Sequence, residues 1–306
     1  MNSVNAVLII LMAILLSACD SKASAQWLED KYTNVASQFI NLDGNRVHYR
    51  DEGTGPVIIL LHGTTSSLHA WDQWTEHLTE QFRVIRLDLP GFGLTGPDRS
   101  DRYEVAHDVA FLNLFMNALK VQKAHLVGSS LGGRIAWQYA LDFPDMVNSL
   151  TLLNALAYPQ ASWPPGIEMA QWPVIDKLMP FVSARFMYVH GLKEVYFNKE
   201  IVTDKVVDRY FDLSQYPGNA AAFPKRVKAR LDKDSQQIKN ISQPTLILWG
   251  EDDMYFPVAN ARRFKQDIKH SYLHTYKKVG HLPMEEVPML SVAHFKNFMG
   301  QLADTP

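Results

Sequence analysis

Disulfide bonds and an excess of basic residues are both missing from this sequence. Cys19 is the single cysteine among 306 residues, so no disulfide can form within the domain and the fold must depend on core packing. The 30 Lys and Arg residues face 32 Asp and Glu residues, which gives a formal net charge of -2. Binding a nucleic acid backbone requires an excess of positive charge, so we expect no nucleic acid partner.

Motifs that hold a metal or a dinucleotide are also missing. The sequence contains no H-E-x-x-H pattern and no Cys/His cluster, so we expect no metal site. Gly91-Phe92-Gly93 lacks the third glycine of a dinucleotide-binding turn, so we expect no cofactor. The overall composition, 47% apolar and 20% charged, is that of an ordinary globular protein.

The longest hydrophobic run lies at the N-terminus. Residues 6–16 are continuously apolar but too short to span a bilayer, which needs about 20 residues, and their length is typical of a signal-peptide core. The next residues, Leu16-Ser17-Ala18-Cys19, resemble the lipobox of bacterial lipoproteins, in which the cysteine is acylated. This resemblance implies a signal peptide over 1–18 and a lipidated tether over 19–36, a polar segment that could also hold a short helix.

The lipobox resemblance implies a location as well as a modification. Asp20 follows the cysteine directly and resembles the inner-membrane retention signal of Gram-negative bacteria. We therefore expect a protein of the bacterial cell envelope, lipid-anchored at Cys19 on the periplasmic face of the inner membrane. Several acyl chains on one residue give a stable membrane anchor. Ordinary secretion with a chance cysteine is the alternative, because residues 1–7 contain no Lys or Arg.

Short apolar runs separated by helical segments dominate the chain from residue 37 onward. A hairpin is predicted first, with strands flanking Asp43-Gly44-Asn45. The later runs are typical of strands buried on both faces, and they cover residues 57–61, 82–87, 124–127, 150–153 and 245–249. A further strand is predicted at 271–276. Residues 105–119 carry an apolar stripe of helical spacing, and 132–141 predict a second helix. This alternation predicts an α/β fold with a mostly parallel central sheet covered by helices on both faces.

Residues 155–240 interrupt this alternation. They are rich in Trp, Tyr, Phe, Met and Pro and contain no strand-like run of the earlier kind. We predict a helical insertion there, which we call the cap. The α/β core would then consist of residues 37–154 and 241–306.

Gly128-Ser129-Ser130-Leu131-Gly132 matches the pattern G-x-S-x-G and lies between a predicted strand and a predicted helix. Because the two glycines lack a Cβ, the chain can reverse tightly and leave the Ser130 hydroxyl at the end of the sheet. The helix N-terminus beneath it favours negative charge in front of the serine. Ser130 is therefore the predicted nucleophile, and a turn that only packs is the alternative.

A serine nucleophile needs a base, and His281 is the candidate among eleven histidines. It lies in the loop Val279-Gly280-His281-Leu282-Pro283, after the predicted strand at 271–276. A loop histidine can accept the serine proton and return it to the leaving group. A structural loop histidine is the alternative interpretation.

An acid that orients the histidine is expected after a strand that lies between the serine and the histidine. Residues 249–257 offer three carboxylates in that place, Glu251, Asp252 and Asp253. The acid would hold the imidazole tautomer and stabilise the imidazolium.

Together these motifs resemble the α/β-hydrolase superfamily over residues 39–299. The resemblance implies the chain order serine, acid, histidine, as found in Ser130, Asp253 and His281. Asp253 occupies the acidic position of the family motif G-x-x-D followed by proline, and Asp252 is the runner-up. Asn154, where some relatives place the acid, is uncharged.

Two further motifs resemble structural loops of the same superfamily. His62-Gly63-Thr64-Thr65 resembles the HG oxyanion loop, which implies the backbone N–H groups of Thr64 and Leu131 as donors to the oxyanion. His62 would brace this loop without transferring a proton. The run from Asp88 to Gly93 resembles the D-x-P-G-x-G turn, which we interpret as structural rather than as a substrate contact.

The function implied by the resemblance is hydrolysis of a carboxylic ester. Cap-bearing members include esterases and lipases, carbon–carbon hydrolases, epoxide hydrolases and haloalkane dehalogenases. The last two use an aspartate where this chain has Ser130, and carbon–carbon hydrolases have a more glycine-rich loop than Thr64-Thr65-Ser66-Ser67. We therefore expect a serine esterase or lipase acting on a small apolar ester, with an apolar pocket under the cap. A carbon–carbon hydrolase and a non-catalytic ligand-binding protein are the alternatives.

Overall fold

The computed structural model describes residues 24–160, 163, 165–173, 183–229 and 235–304. The predicted signal peptide and Cys19 therefore lie outside the described residues. Within the described ranges, no helix is long and apolar enough to cross a membrane.

One eight-stranded sheet forms the centre of the molecule, with the strand order β1-β2-β4-β3-β5-β6-β7-β8. Strands β1 and β2 form the predicted hairpin, and β2 also pairs antiparallel with β4. All later pairs are parallel. The strands are β1 (Ser37–Leu42), β2 (Asn45–Glu52), β3 (Val57–Leu61), β4 (Arg83–Leu87), β5 (Ala124–Ser129), β6 (Val147–Leu153), β7 (Thr245–Gly250) and β8 (Ser271–Tyr276). The predicted α/β fold with a mostly parallel sheet is confirmed.

Helices cover both faces of this sheet and form the segment between β6 and β7. The α-helices are α1 (Ala25–Tyr32), α2 (Asp72–Leu78), α3 (Val105–Ala118), α4 (Leu131–Asp142), α5 (Pro165–Met169), α6 (Arg185–Val195), α7 (Asp204–Ser214), α8 (Asn219–Ala229), α9 (Val258–Asp267), α10 (Pro283–Glu286) and α11 (Pro288–Ala303). Short 3₁₀ helices lie at Leu68–Trp71, Pro144–Met146, Lys199–Ile201 and Ser235–Asn240. The described part of the cap is helical and contains no strand.

The core lies on both sides of the sheet, as the unbroken apolar strands predict. In β3, Ile59 and Leu61 pack into the cluster beneath α3, α4 and α9, whereas Ile58 and Leu60 pack into the cluster beneath α2 and α11. This alternation follows from the two-residue period of a strand. A strand that is buried on both faces has no polar side, which explains why Val57–Leu61 is entirely apolar.

The cap is attached to the core by a buried ion pair. Arg226 of α8 contacts Asp108 of α3 at 2.5 Å, and both side chains are 1% exposed. A second guanidinium nitrogen of Arg226 donates to the Pro90 carbonyl at 2.6 Å. These bonds offset part of the cost of burying the charges, which would be several kcal/mol for an unpaired ion.

Part of the segment predicted as a tether is folded. Residues 25–32 form α1, which begins at the N-cap Ser24, whose side chain accepts the Trp27 N–H. Leu28 is fully buried and packs with Leu94 and Leu213. The described end of this segment therefore contains the short helix that the sequence left open, and this helix is docked on the domain.

Candidate active site

Ser130 lies in the sharp turn between β5 and α4. Its backbone has φ 52° and ψ -114°, a conformation that L residues rarely adopt. The turn is held by the Ser130 N–H, which donates to the Leu153 carbonyl at 3.0 Å. A Cβ on Gly128 would lie 2.3 Å from the Gly132 carbonyl oxygen, and one on Gly132 would lie 2.1 Å from the Leu61 carbonyl oxygen. The two glycines are therefore required by close backbone approach on either side of the serine.

Asp253 and His281 form a buried pair. The Asp253 carboxylate oxygen Oδ2 lies 2.8 Å from His281 Nδ1. The other carboxylate oxygen accepts the Tyr255 N–H at 2.7 Å. The rings of Tyr255 and Phe256 pack against the imidazole at centroid distances of 5.0 and 5.3 Å. The carboxylate and the two rings therefore fix the orientation of the histidine.

The other two candidate carboxylates have different partners. Asp252 accepts the Lys278 N–H at 2.8 Å, and Glu251 accepts the Thr275 hydroxyl at 2.7 Å. Of the three acids in this loop, the structure places Asp253 against the imidazole.

Asn154 supports Asp253, a contact that the sequence did not predict. Its side-chain amide donates to Asp253 Oδ2 at 2.6 Å, and its carbonyl oxygen accepts the Gly250 N–H at 3.1 Å. Asn154 is fully buried at the end of β6 with φ 42°, a conformation that asparagine tolerates better than most residues. The neutral side chain at this position is thus a hydrogen-bond donor to the acid in the loop after β7.

Ser130 and His281 line the same cavity. Within the described ranges, the Ser130 hydroxyl makes no hydrogen bond. Contacts needed for proton transfer are often loose without substrate and tighten in the complex. The structure therefore brings the predicted nucleophile and base to one site, and the contact between them would have to close upon binding.

His62 braces the loop after β3. Its Nδ1 lies 2.7 Å from the Gly63 carbonyl oxygen, and its Nε2 accepts the Leu89 N–H at 2.9 Å. Burial lowers the pKa of His62 to about 4, so the ring is neutral at physiological pH. The neutral tautomer with hydrogen on Nδ1 satisfies both contacts, which matches the structural role expected for His62.

The two predicted oxyanion donors lie beside the serine. Leu131 is the first residue of α4, so its N–H has no acceptor within the helix. Thr64 lines the cavity with Ser130. A Cβ on Gly63 would lie 3.0 Å from the Ser130 Cβ, so glycine allows this loop to approach the serine closely. The arrangement suits two fixed backbone donors next to a tetrahedral oxyanion.

The turn from Asp88 to Gly93 is both structural and part of the cavity wall. Asp88 is fully buried and accepts hydrogen bonds from the N–H groups of Leu68 and Leu94, each at 2.8 Å. Burial acts to raise the pKa of Asp88, but the hydrogen bond and charge of His48 outweigh it and hold the pKa well below its usual range. Gly91, Phe92 and Gly93 line the cavity, so this part of the motif also faces substrate space.

The histidine loop is bonded directly to the cap. The His281 N–H donates to the Val195 carbonyl at the end of α6 at 2.9 Å. One carboxylate oxygen of Glu286 accepts the Gly280 N–H at 2.6 Å, and the other accepts the N–H groups of Phe197 and Asn198 at 2.9 and 3.1 Å. The position of His281 is therefore coupled to the position of α6.

A cavity of about 690 Å³ lies between the cap and the core. The sequence could not assign cap residues to it. Those that line it come mainly from α5, α6 and α7, and they include Ile167, Met169, Phe186, Met187, Leu192 and Leu213. The wall next to Ser130 is thus largely apolar on the cap side.

Arg209 is an arginine in the cavity wall, and its charge is compensated. A guanidinium nitrogen of Arg209 contacts a carboxylate oxygen of Glu285. The other Glu285 oxygen accepts the Tyr210 hydroxyl at 2.7 Å. The side chains of Arg209 and Glu285 are 20% and 11% exposed, so this pair is mostly desolvated. An anionic ligand would have to compete with Glu285 for this guanidinium.

Metal ligands do not cluster in this site. Among the described residues, no group of three or more His, Cys, Asp or Glu side chains could hold a metal ion.

Several known proteins resemble this chain over most of its length. A 2-hydroxy-6-oxo-2,4-heptadienoate hydrolase of Pseudomonas putida is 29% identical over 269 residues, which cover 81% of this chain and 92% of the relative. A crystal structure of a candidate lipase from Acinetobacter baumannii matches with a TM-score of 0.78 at 25% identity, covering 93% of this chain and 98% of that one. The meta-cleavage product hydrolase of Pseudomonas fluorescens matches with a TM-score of 0.74 at 25% identity, covering 88% and 99%.

A family model described as the alpha/beta hydrolase fold matches residues 56–288. This range contains the serine turn, the acid loop and the histidine loop. The chain belongs to the α/β-hydrolase family.

Proposed function

We propose that this hydrolase cleaves carboxylic esters through an acyl-enzyme. Ser130 attacks the ester carbonyl while His281 takes its proton, and Asp253 holds the imidazole and stabilises its protonated form. The backbone N–H groups of Thr64 and Leu131 bind the oxyanion. His281 then returns the proton to the leaving alcohol and activates the water that releases the acid. The observation that carries this proposal is the Asp253–His281 pair at 2.8 Å beside the cavity that Ser130 lines.

The cavity wall favours an uncharged acyl or aryl group. The cap contributes apolar side chains, and the guanidinium of Arg209 is already paired with the Glu285 carboxylate. A substrate carboxylate would therefore gain little from this arginine without displacing Glu285. An ester without a negative charge near the cap has no such cost.

Carbon–carbon bond hydrolysis is the second candidate, because two of the similar proteins are named as hydrolases of that kind. The name of the Pseudomonas putida relative gives an anionic dienoate as its substrate. The Arg209–Glu285 pair disfavours such an anion here. A loop of Thr64-Thr65-Ser66-Ser67, without the glycines expected of that group, points the same way. A panel of p-nitrophenyl esters and vinylogous diketones separates the two, and turnover of a diketone without turnover of any ester would replace our proposal.

A fluorophosphonate probe tests whether the protein is catalytic at all. We expect covalent labelling of the full-length protein and none in Ser130→Ala, with Ser129→Ala as the matched control that still labels. A folded wild-type protein that never labels and turns over no ester would favour the ligand-binding alternative.

We further propose that the protein is a lipoprotein anchored through Cys19 in the cell envelope. The support is the apolar run at 6–16 followed directly by Leu16-Ser17-Ala18-Cys19. Cys19→Ser should release the protein from membranes, because the acyl chains would be lost. Unchanged membrane retention of this variant would contradict the anchor.

A further inference from the structure

Large apolar side chains are exposed at the mouth of the cavity. Met169, Trp172, Phe186 and Met187, which we call the cap-rim patch, are 43%, 58%, 73% and 42% exposed. Three of them, Met169, Phe186 and Met187, also line the cavity. Exposed large apolar side chains beside a binding site are typical of an interaction surface.

Helix α1 and Ser183, which lies just before α6, both contact the C-terminal end of α7. Lys31 and Tyr32 both bond to Asp212, in the last turn of α7, at 2.7 and 2.8 Å. Gln215 follows α7 directly and donates to Ser183, just before α6, at 2.8 Å. Leu213 of α7 lines the cavity with Phe186 and Met187, and it also packs against Leu28 of α1, so the α6 part of the cap-rim patch lies near α1.

The chain before α1 is short. Four residues separate Cys19 from Ser24, the N-cap of α1, so the path between them is five residue steps. Because α1 is docked on the domain, the anchor lies at most about 18 Å from Ser24, even with these five steps fully extended. A domain of this length is roughly 45 Å across, so an anchor at Cys19 keeps the cap end, rather than the opposite edge of the sheet, near the bilayer.

Side-chain chemistry at this end suits a lipid surface. Trp27 on α1 is 45% exposed, and tryptophan is enriched at membrane–water interfaces because its ring is apolar with one polar group. The charged side chains beside the patch include Glu168 and Glu194, and Arg185 is already paired with Asp204 and Asp208. The contact would therefore come from apolar insertion rather than from attraction to anionic headgroups.

We propose that the cap-rim patch rests in the lipid leaflet to which Cys19 is anchored, so that ester substrates enter the cavity from the membrane. This inference rests on the proposed anchor and hydrolase activity, and it names the substrate class as esters dissolved in a lipid leaflet. The acyl part enters between Met169, Phe186 and Met187 without first crossing water.

A fluorescent label at the patch tests the orientation independently of catalysis. Because the single native cysteine carries the acyl chains, Phe186→Cys supplies the one free thiol in the full-length acylated protein. Lys123→Cys is the matched control, since Lys123 is exposed and precedes β5 at the sheet edge opposite Ser130. Both are labelled with a polarity-sensitive dye in a Ser130→Ala background, so that loss of activity does not alter the readout.

In phosphatidylethanolamine–phosphatidylcholine vesicles, the label at 186 should shift to shorter emission wavelengths. It should be quenched by nitroxides on the acyl chains, and the label at 123 should show neither effect. High salt should change neither the emission shift nor the quenching at 186, because the contact is apolar. A water-like emission spectrum of the dye at 186 in vesicles would overturn the proposal. A shift to shorter wavelengths that appears without lipid and grows with protein concentration would also overturn it, because a second copy of the chain would then cover the patch.

A turnover measurement supplies the functional half of the test. Trp172→Ser should lower hydrolysis of an ester embedded in vesicles about tenfold. Burying an aromatic ring in the leaflet strengthens membrane binding by about this factor, and the variant loses that contribution. Hydrolysis of a water-soluble short ester should not change. Leu114→Ser is the matched control, since Leu114 is 47% exposed on α3 and does not line the cavity. Equal loss on both esters, or no loss on the embedded ester, would contradict the proposal, whereas absence of turnover on every ester would instead contradict the hydrolase function.

Discussion

Replacing Asn154 tests whether the support of Asp253 matters for catalysis. Asn154→Gly removes the side chain without strain, because glycine adopts φ 42° freely. Asn154→Ala removes the same side chain but places a Cβ in a left-handed conformation. Comparing the two variants separates the lost hydrogen bonds from the backbone strain.

The expected magnitude follows from the two contacts of Asn154. The bond to the Asp253 carboxylate, at 2.6 Å, is charge-assisted, and its loss costs roughly 1.5–3 kcal/mol. The Gly250 N–H, which donates to Asn154 at 3.1 Å, is left without its buried acceptor, at roughly 1–3 kcal/mol. Water can enter the vacated space, so we expect the free energy of unfolding to fall by about 3 kcal/mol in the glycine variant. The alanine variant should lose about 1 kcal/mol more.

Activity should respond through kcat. Asn154 does not belong to the cavity wall, so KM should stay within about threefold. A less constrained Asp253 orients His281 less well, and kcat should fall roughly 10- to 100-fold. Urea denaturation and steady-state kinetics on one soluble ester measure both effects. Wild-type kcat with reduced stability would confine Asn154 to the fold, and wild-type values of both quantities would refute the reasoning from these contacts.

Three further variants test the acid, the histidine loop and a buried histidine. Asp253→Asn should lower kcat roughly 10³- to 10⁴-fold, because the amide favours the wrong imidazole tautomer, and Asp252→Asn should change kcat less than about threefold. A larger loss of kcat in Asp252→Asn than in Asp253→Asn would identify Asp252 as the acid. Gly280→Ala should lower the free energy of unfolding by about 1–3 kcal/mol, because the new Cβ would lie 2.3 Å from a carbonyl oxygen of α6. Gly191→Ala is the control in the same denaturation assay: its new Cβ would have no neighbouring atom within 4 Å, so it should not destabilise the protein. Burial lowers the pKa of His125 to about 4, so the ring is neutral when folded, and the associated stability is present above pH 6.5 and lost as pH falls toward 4. Between pH 7 and 5 the wild type should therefore lose about 2 kcal/mol more than His125→Gln, and parallel pH profiles of stability would contradict this.

The central strands could be predicted because a parallel sheet buries both of their faces. Residues 57–61 and 271–276 were predicted with the bounds that the structure has. The strand predicted at 150–153 begins earlier, at Val147. Its first residues include Asn148 and Ser149, whose polar side chains hide the strand from an apolar pattern. Ser149 instead bonds to the His125 ring at 2.8 Å.

The candidate site could be predicted only where a residue lies within a local motif. Ser130, His281 and Asp253 each follow a strand in a short pattern, and Asp253 needed the family resemblance to be preferred over Asp252. Asn154 carries no such pattern, because its partner is 99 residues away in the sequence. Glu286 likewise bonds to Phe197 through a separation of 89 residues.

The sequence alone determined the layered α/β architecture and the tight turn at Ser130, because hydrophobic period and glycine placement act within a few residues. Only the tertiary structure decided which carboxylate contacts the imidazole and that the Asn154 amide donates to that carboxylate. The same is true of the ion pair between Glu285 and Arg209. The cavity lining and the cap-rim patch also depend on how distant segments pack. Such contacts join residues far apart in the chain, and their geometry is set by the packing of the whole domain rather than by any local pattern.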